Sequence, residues 1–444
     1  MTTTSLATME IERLLARHPK GYDLSLDRIR QLLAKLGDPQ KRLPPVVHVA
    51  GTNGKGSVSA FCRAILEADT RSVHVHTSPH LVSWHERYRL GRQGEPGRLV
   101  ADDVLADAVI RAARANGDDS ITVFEVLTAV TFLLFSENPA DVAVIEVGLG
   151  GRFDATNVLE RPAVSVITPV SLDHQSFLGD RVELIAAEKA GIIKPGVPLV
   201  IGQQSERIAV DVITSIADRN GAPVKLYGED FFAFEERGRL VYQDDIGLLD
   251  LPLPRLPGRH QLSNAATAIA ALRSAGFDPS EDAIARAMST VAWPGRLQKI
   301  TSGPLFDAMV PGGELWIDGG HNPGAGAVIS EVFANLEDKV SRPLFLICGM
   351  LNTKDPTGFF EAFGGIARRV LTVPLSTTDA GIDPEELAEF ALDTGLDGEA
   401  VESVEAALRL VSDNWQVQPA PRFLICGSLY LVGEVLEKSG LAPE

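Results

Sequence analysis

The chain of 444 residues has little that would place it in an oxidising or lipid setting. It holds three cysteines, Cys62, Cys348 and Cys426, each alone in an apolar context and without metal-type spacing. They read as buried thiols in a reducing compartment, which excludes a disulfide scaffold and a thiolate metal site. No apolar run reaches the roughly 18 residues needed to cross a bilayer, so no membrane partner is expected. The opening stretch, MTTTSLATMEIERLLARHP, lacks a basic segment followed by an apolar one and does not read as a signal peptide. A cytoplasmic protein is the expectation. Cations are also outnumbered: 41 Lys and Arg stand against 59 Asp and Glu, a formal charge of −18. Nucleic acid, which asks for a basic face, is therefore not an expected partner. The same charge sets a condition. An acidic protein that binds an anion must gather its few cations, helix N-termini or metal ions at one site.

What is present is soluble and globular in character, with 45% hydrophobic and 23% charged residues. The length calls for two or three domains. Short β-branched runs recur at VVHV (46–49), VHVH (73–76), VAVIEV (142–147), VSVIT (164–168) and VPLVI (197–201). Their near-continuous apolar character predicts buried parallel strands. Segments between them, such as SVSAFCRAILEA and EVLTAVTFLLFSE, carry helical apolar spacing, and the alternation predicts an open α/β sheet.

The rhythm changes at FFAFEERGRLVYQDD, which reads as a small hairpin turning at ERGR, followed by the proline-studded LDLPLPRLPGRHQ. A helix over SNAATAIAALRSAG is expected next, with Gly276 beyond its end. WPGRLQKI (293–300) reads as a connector, after which LWID, LFLICG, VLTV and FLICGS restart the strand–helix pattern. No internal repeat or low-complexity segment interrupts it. The fold class expected is α/β: an N-terminal P-loop domain with a mostly parallel sheet (1–296) and a smaller Rossmann-like α/β domain (297–444). The natural ligand site is a cleft between them.

AGTNGKGS follows the first strand and opens a helix, which places backbone N–H groups and a helix N-terminus around one anion. Gly51, Gly54 and Gly56 allow close approach, and Lys55 reaches toward β- and γ-phosphates. The common spelling G-x-x-x-x-G-K-[ST] would need glycine at Val49 and a hydroxyl at Gly56, so Ser57 arrives one place late. Other polar residues fall just past later strands. Glu146 is a Mg²⁺ ligand or a helix-cap partner. Asp173 and His174 lie past the next strand, where a histidine often serves simply as a hydrogen-bonding core residue. Lys189, on a short helix, is otherwise a solvated lysine. All sit where open α/β sheets bind ligands.

Taken together, the set resembles a known family. HVAGTNGKGS, TSPHL, FEVLT, EVGLGGRFDATN, SLDH…LG…IAAEKAGIIKPG, GRHQLSNAA, WPGRLQ, DGGHNP and GSLYLVG occur in the order of folylpolyglutamate synthase, over about residues 20 to 435. The resemblance includes its bifunctional form with dihydrofolate synthase activity, within the Mur-ligase superfamily. It implies an ATP-dependent amide ligase that joins L-glutamate to dihydropteroate and to reduced folates through an acyl phosphate, releasing ADP and phosphate. Its implied cofactors are ATP and Mg²⁺, two ions, and its working unit a monomer.

By matching motif position, Gly54, Lys55, Gly56 and Ser57 are implied as the triphosphate cradle, with Asn264, Arg296 and Asp318 holding ATP from the interdomain side. Ser78, Glu146 and His174 are implied as Mg²⁺ ligands. Lys189 matches the lysine that the superfamily carbamylates, which turns a cation that would repel Mg²⁺ into a carboxylate-like ligand. His321 and Ser428 are implied as second-domain cleft residues, His321 in a catalytic role. Pteroate recognition maps to Thr122, Val123, Phe124 and Glu125, to Phe153, Asp154 and Ala155, and to an N-terminal contact at Asp23 and Leu24. Phe124 can stack on a pterin, or be ordinary core, and Asp154 can accept from pterin N–H groups.

Three positions depart from the family pattern: Gly320 stands where alanine is commoner, Thr353 where aspartate is frequent, and Phe153 where leucine is usual. The last lies beside the implied pterin site and leaves the balance of the two activities open. Alternatives are the polyglutamylating activity alone, a Mur-type ligase on another carboxylate, or a P-loop switch without ligation. The loop begins within about 50 residues of the start, which leaves no room for a UDP-binding domain before it.

Overall fold

The structure, a computed structural model, describes residues 5–17 and 25–444. The first domain is organised by an eight-stranded sheet of β1 (Val46–Ala50), β2 (Val73–His76), β3 (Tyr88–Arg92), β4 (Glu95–Leu99), β5 (Val142–Glu146), β6 (Val164–Ile167), β7 (Leu199–Ile201) and β8 (Val224–Leu226). Their spatial order is β4-β3-β2-β5-β1-β6-β7-β8. All pairings are parallel except those of the β3–β4 hairpin, an antiparallel edge that the apolar-run pattern does not announce. Strands β1, β2, β5 and β6 are buried along their whole length. Helices cover both faces, which is why these strands read as unbroken apolar runs rather than alternating ones. Helices Lys55–Ala68, His260–Ser274 and Glu281–Thr290 pack on one face, and Leu6–Arg17, Asp27–Lys35, Asp102–Asn116 and Val123–Glu137 on the other. The strand order reverses around β1, so the crevice beyond its C-terminal end is a switch point of the sheet.

A three-stranded antiparallel sheet follows: β9 (Phe232–Glu236), β10 (Arg239–Gln243) and β11 (Leu248–Pro252). The turn expected at ERGR carries Arg237 and Gly238 at φ +52° and +74°, the pair of positive values a tight hairpin turn requires. Strand β11 occupies the start of the proline-studded stretch, which carries no plain strand signal of its own. Leu249 and Leu251 face the core while Leu248 and Asp250 face out, a half-buried alternation that the neighbouring prolines disguise.

The second domain contains β12 (Gln298–Ile300), β13 (Glu314–Ile317), β14 (Leu344–Cys348), β15 (Ala367–Thr372), β16 (Gly398–Ala400) and β17 (Arg422–Cys426). The order is β12-β13-β17-β14-β15-β16, parallel apart from β12. The connector of residues 293–300 therefore ends as the first edge strand of this sheet. Leu81 and Val82, from the loop after β2, pack against the second-domain core. The helix Leu429–Lys438 passes so close to this loop that a side chain on Gly433 would strike the Leu81 carbonyl.

The second sheet also carries an ion cluster. Arg422 is buried and donates to Glu314 at 2.9 Å and Glu337 at 3.3 Å, while Lys299 meets Glu314 at 3.0 Å. Partial burial opposes the Glu314 charge, but Lys299 and Arg422 outweigh it and hold its carboxyl at about 2. A depressed carboxylate contributes stability above its unfolded pKa and loses it as pH falls through the folded value. Glu314→Gln should therefore cost roughly 2 kcal/mol at pH 7. Urea unfolding should show the variant losing less than wild type between pH 5 and about 2; parallel acid limbs would refute the assignment.

Candidate active site

Strand β1 ends at Ala50, and the loop turns into the helix Lys55–Ala68 through Gly54 at φ +85°. A Cβ on Gly54 would come within 2.8 Å of Asn264 Oδ1, and one on Gly56 within 2.6 Å of the Trp293 ring. The crowding keeps side chains out of the space over the first helical turn, where unpaired N–H groups favour an anion. Ser57 is buried in that turn, 3.5 Å from Gln261 Nε2. Lys55 folds back across the loop and donates to the Gly51 carbonyl at 3.1 Å and the Thr52 carbonyl at 3.2 Å.

Two oxygen donors stand beside it. Glu146, the last residue of β5, is buried, and burial pushes its carboxyl up to about 7 against the pull of Lys55 and Arg296. Ser78 follows β2, the neighbouring strand; its Oγ is buried and without a hydrogen-bond partner. No group of three or more His, Cys, Asp or Glu forms a ready-made metal cage among the described residues. A hydroxyl and one carboxylate nevertheless fit Mg²⁺, which keeps water and phosphate oxygens in its shell and takes only one or two carboxylates from protein. A cavity of about 330 Å³ opens here, walled by Gly56, Ser78, Glu146, Trp293, Arg296 and Leu429 among others.

Lys189 ends the helix Val182–Lys189 and is buried, its Nζ donating to the same Gly51 carbonyl at 2.9 Å. Desolvation first, then Lys55, pulls its pKa down to about 7. His174 follows β6 at φ +52°, and burial, with Lys354 and Lys55, lowers it to about 4 despite Asp173.

From the second domain, Asp318 accepts from the N–H groups of Leu297 (2.8 Å) and Gly320 (2.6 Å), and burial raises its pKa. Arg296 donates to the Gly295 carbonyl at 3.0 Å. Asn264 donates to Gln261 Oε1 at 3.0 Å. Ser428 caps the helix Leu429–Lys438 by accepting from Tyr430 N–H. His321 Nδ1 lies 2.7 Å from the Gly319 carbonyl.

Asp173, named in the sequence only as lying past a strand, proves to be the hub between the domains. It meets Lys354 at 2.7 Å, Asn322 Nδ2 at 3.0 Å and His321 Nε2 at 3.6 Å. Burial opposes its charge, yet His321, Lys354 and His174 hold its carboxyl far below the carboxylate range. Asn53 and Asn322 exchange bonds at 3.2 and 3.1 Å across the same seam. No local pattern marks these partners, because their residues lie in different domains.

On the acceptor side, Thr122 and Glu125 form a capping box at the start of the helix Val123–Glu137, and Arg28 donates to Glu125 at 3.1 Å. Val123 opens that helix, and the half-buried Phe124 ring lies over Gly148, where any side chain would strike it. Phe153 is 40% exposed and Ala155 is buried. Asp154 differs from its expected use. Its carboxylate already accepts from Gly148, Leu149 and Thr156, so its lone pairs shape the loop instead of standing free for a pterin. Asp23 and Leu24 lie outside the described residues.

A glycine loop opening a helix, a buried carboxylate at the end of the neighbouring strand and a second α/β domain packed beside them are the architecture of a nucleotide-dependent ligase of the Mur type. Residues 49–272 match the Mur ligase middle domain, and residues 311–438 the dihydrofolate synthetase C-terminal domain. The folylpolyglutamate synthase of Lacticaseibacillus casei is 33% identical over 420 residues, 92% of each chain. The dihydrofolate synthase/folylpolyglutamate synthase of Escherichia coli is 34% identical over 423 residues, 95% of this chain and 92% of the relative. Among solved structures, E. coli FolC in complex with DHPP and ADP superposes with a TM-score of 0.85 at 32% identity, over 98% of this chain and 97% of the other. The Mycobacterium tuberculosis folylpolyglutamate synthase complexed with ADP gives 0.84 at 30% identity, over 99% of this chain and all of the other. The chain belongs to the folylpolyglutamate synthase/dihydrofolate synthase family of ATP-dependent ligases.

The loop geometry can be tested directly. Gly54→Ala forces a side chain into positive φ and against Asn264, so the affinity for ADP should fall at least about tenfold, or ~1.4 kcal/mol. Titration calorimetry that finds wild-type affinity would remove Gly54 from the cradle.

Proposed function

We propose that this protein joins L-glutamate, by an amide bond, to the carboxylate of dihydropteroate and to that of reduced folates. The observation that carries the reading is one cavity in which Gly56 of the glycine loop, Ser78 and Glu146 meet Arg296 of the connector and Leu429 of the second domain, with Asp318 beside Arg296. When bound, Mg-ATP supplies the phosphoryl group that converts a poor leaving oxygen into phosphate, through an acyl phosphate on the acceptor. The loop amides and helix N-terminus orient the phosphates, and Lys55 leaves the Gly51 and Thr52 carbonyls to reach them. Ser78 and Glu146 would hold one Mg²⁺ ion, and His174 with a modified Lys189 would hold a second. Arg296, Asp318 and Asn264 fix the nucleotide, while His321 and Ser428 face the incoming amino acid. Positioning and charge neutralisation of this kind are what phosphoryl transfer chiefly needs. Residues 122–125 and 153–155 form the acceptor side. The proposal includes a cytoplasmic setting, in keeping with three buried, unbridged cysteines, and a single chain as the working unit.

The decisive assay measures ADP release with dihydropteroate and with tetrahydrofolate separately, each with and without L-glutamate. Glutamate-dependent turnover is expected with both. Turnover with tetrahydrofolate alone would remove the synthase half, and the exposed Phe153 is then the position to change to leucine. Glutamate-independent hydrolysis alone would indicate a P-loop switch.

Carbamylation of Lys189 is supported by its position. The amine is buried against one carbonyl, and no carboxylate pairs with it among the described residues. Lys189→Ala should cut kcat by at least about a hundredfold, the scale of losing a group that organises a metal site. Short-chain carboxylic acids that fill the vacated space should restore part of it. Wild-type rates in the variant would refute the role.

A further inference from the structure

Asp154 shapes the acceptor loop, but what holds Asp154 reaches back to the strand that carries the ATP loop. Its Oδ2 accepts from the N–H groups of Gly148 (3.0 Å) and Leu149 (2.9 Å). Its Oδ1 accepts from the Thr156 N–H at 2.9 Å and the Thr156 hydroxyl at 2.5 Å. A carboxylate bonded by these donors only accepts, so the Thr156 proton is committed to Asp154. The oxygen of that hydroxyl must then accept from His48 Nε2, which lies 2.9 Å away.

The network thereby selects one tautomer of His48, protonated at Nε2. Burial keeps the ring neutral, and its other nitrogen, Nδ1, is buried without a partner. An apolar residue at position 48 would fill this wholly buried strand without leaving an orphaned nitrogen, which costs about 1–3 kcal/mol. The histidine is tolerated for the bond it donates. Its place in β1, just ahead of Gly51, joins the strand under the phosphate loop to the loop that carries Phe153 and Asp154.

We infer that His48 is a positioning residue for the acceptor substrate: its Nε2–H orients the Thr156 hydroxyl, which fixes Asp154 and, through it, the Gly148–Leu149 backbone and the 153–155 segment. This rests on the acceptor site proposed above. The relay contains no group that reacts; it acts by keeping one loop conformation populated before substrate arrives.

Four variants separate this role from simple packing. His48→Gln keeps an N–H donor at the same bond distance from Cα as Nε2. His48→Leu keeps apolar volume without the donor, Thr156→Val removes the hydroxyl, and the His48→Leu/Thr156→Val pair removes both. In His48→Leu and Thr156→Val, KM for dihydropteroate and tetrahydrofolate should rise at least fivefold, with kcat and KM for ATP within twofold of wild type. His48→Gln should stay within twofold throughout, and the double variant should be no worse than either single one. Hydrogen exchange of Gly148 and Leu149, read on the protein without substrates, should accelerate in the same three donor-deficient variants and not in His48→Gln. Unchanged exchange and acceptor KM in His48→Leu would overturn the relay, as would equal damage in His48→Gln and His48→Leu. A wild-type enzyme that turns over neither acceptor would sink the proposed function instead, and the exchange measurement would still decide the relay.

Discussion

Two lysine ammonium groups meet at one backbone carbonyl, that of Gly51, and much of the site follows from that crowding. Lys55 and Lys189 donate to it at 3.1 and 2.9 Å in a region largely closed to water. Such a pair is unfavourable alone, and burial first, then Lys55, lowers the pKa of Lys189. With Lys189 unmodified, the same field favours anions over the loop even in a chain of net charge −18. Glu146 completes the balance from the neighbouring strand, kept from easy ionisation by burial and drawn toward it by Lys55 and Arg296. The site thus holds unpaired charges of both signs, arranged for groups that arrive with their own.

The second domain closes this arrangement along two seams of different chemistry. One is polar, where Asp173 and Asn53 meet Lys354, His321 and Asn322. The other is apolar, where Leu81 and Val82 enter the second-domain core against a helix that has Gly433 at the contact. The loop bearing Leu81 also bears Ser78, so docking of the second domain and placement of the unpartnered Ser78 hydroxyl share a short segment. Closure of this kind excludes water and gathers catalytic groups in one event.

Much of the fold was legible because its signals are local. Apolar runs marked β1, β2, β5 and β6, since strands covered on both faces need no polar alternation. ERGR marked its turn because positive φ is demanded of a glycine-containing pair. The β3–β4 hairpin and β11 were not legible. The first is an edge of charged and polar residues, YRLGRQGEPGRL, and the second alternates among prolines that argue against a strand. At the site, the order of the motifs named the residues without giving their partners. Thr122 and Glu125 read as substrate contacts are also a helix cap, and Asp154 spends its lone pairs on its own loop.

By itself, then, the sequence determined the α/β class, the glycine loop at the end of the first strand, and the polar residues that follow the other strands. These are properties of short segments, set by apolar period, by glycine's freedom and by the geometry of a strand entering a helix. Only the tertiary structure decided that Asp173 binds across the domain seam, that Ser78 Oγ is left unpartnered beside Glu146, and that a histidine inside β1 supports a loop beyond β5. Hydrogen bonds and ion pairs between residues a hundred or more positions apart depend on which strands lie side by side. That adjacency comes from how the whole sheet buries its faces, and no single stretch of the chain encodes it.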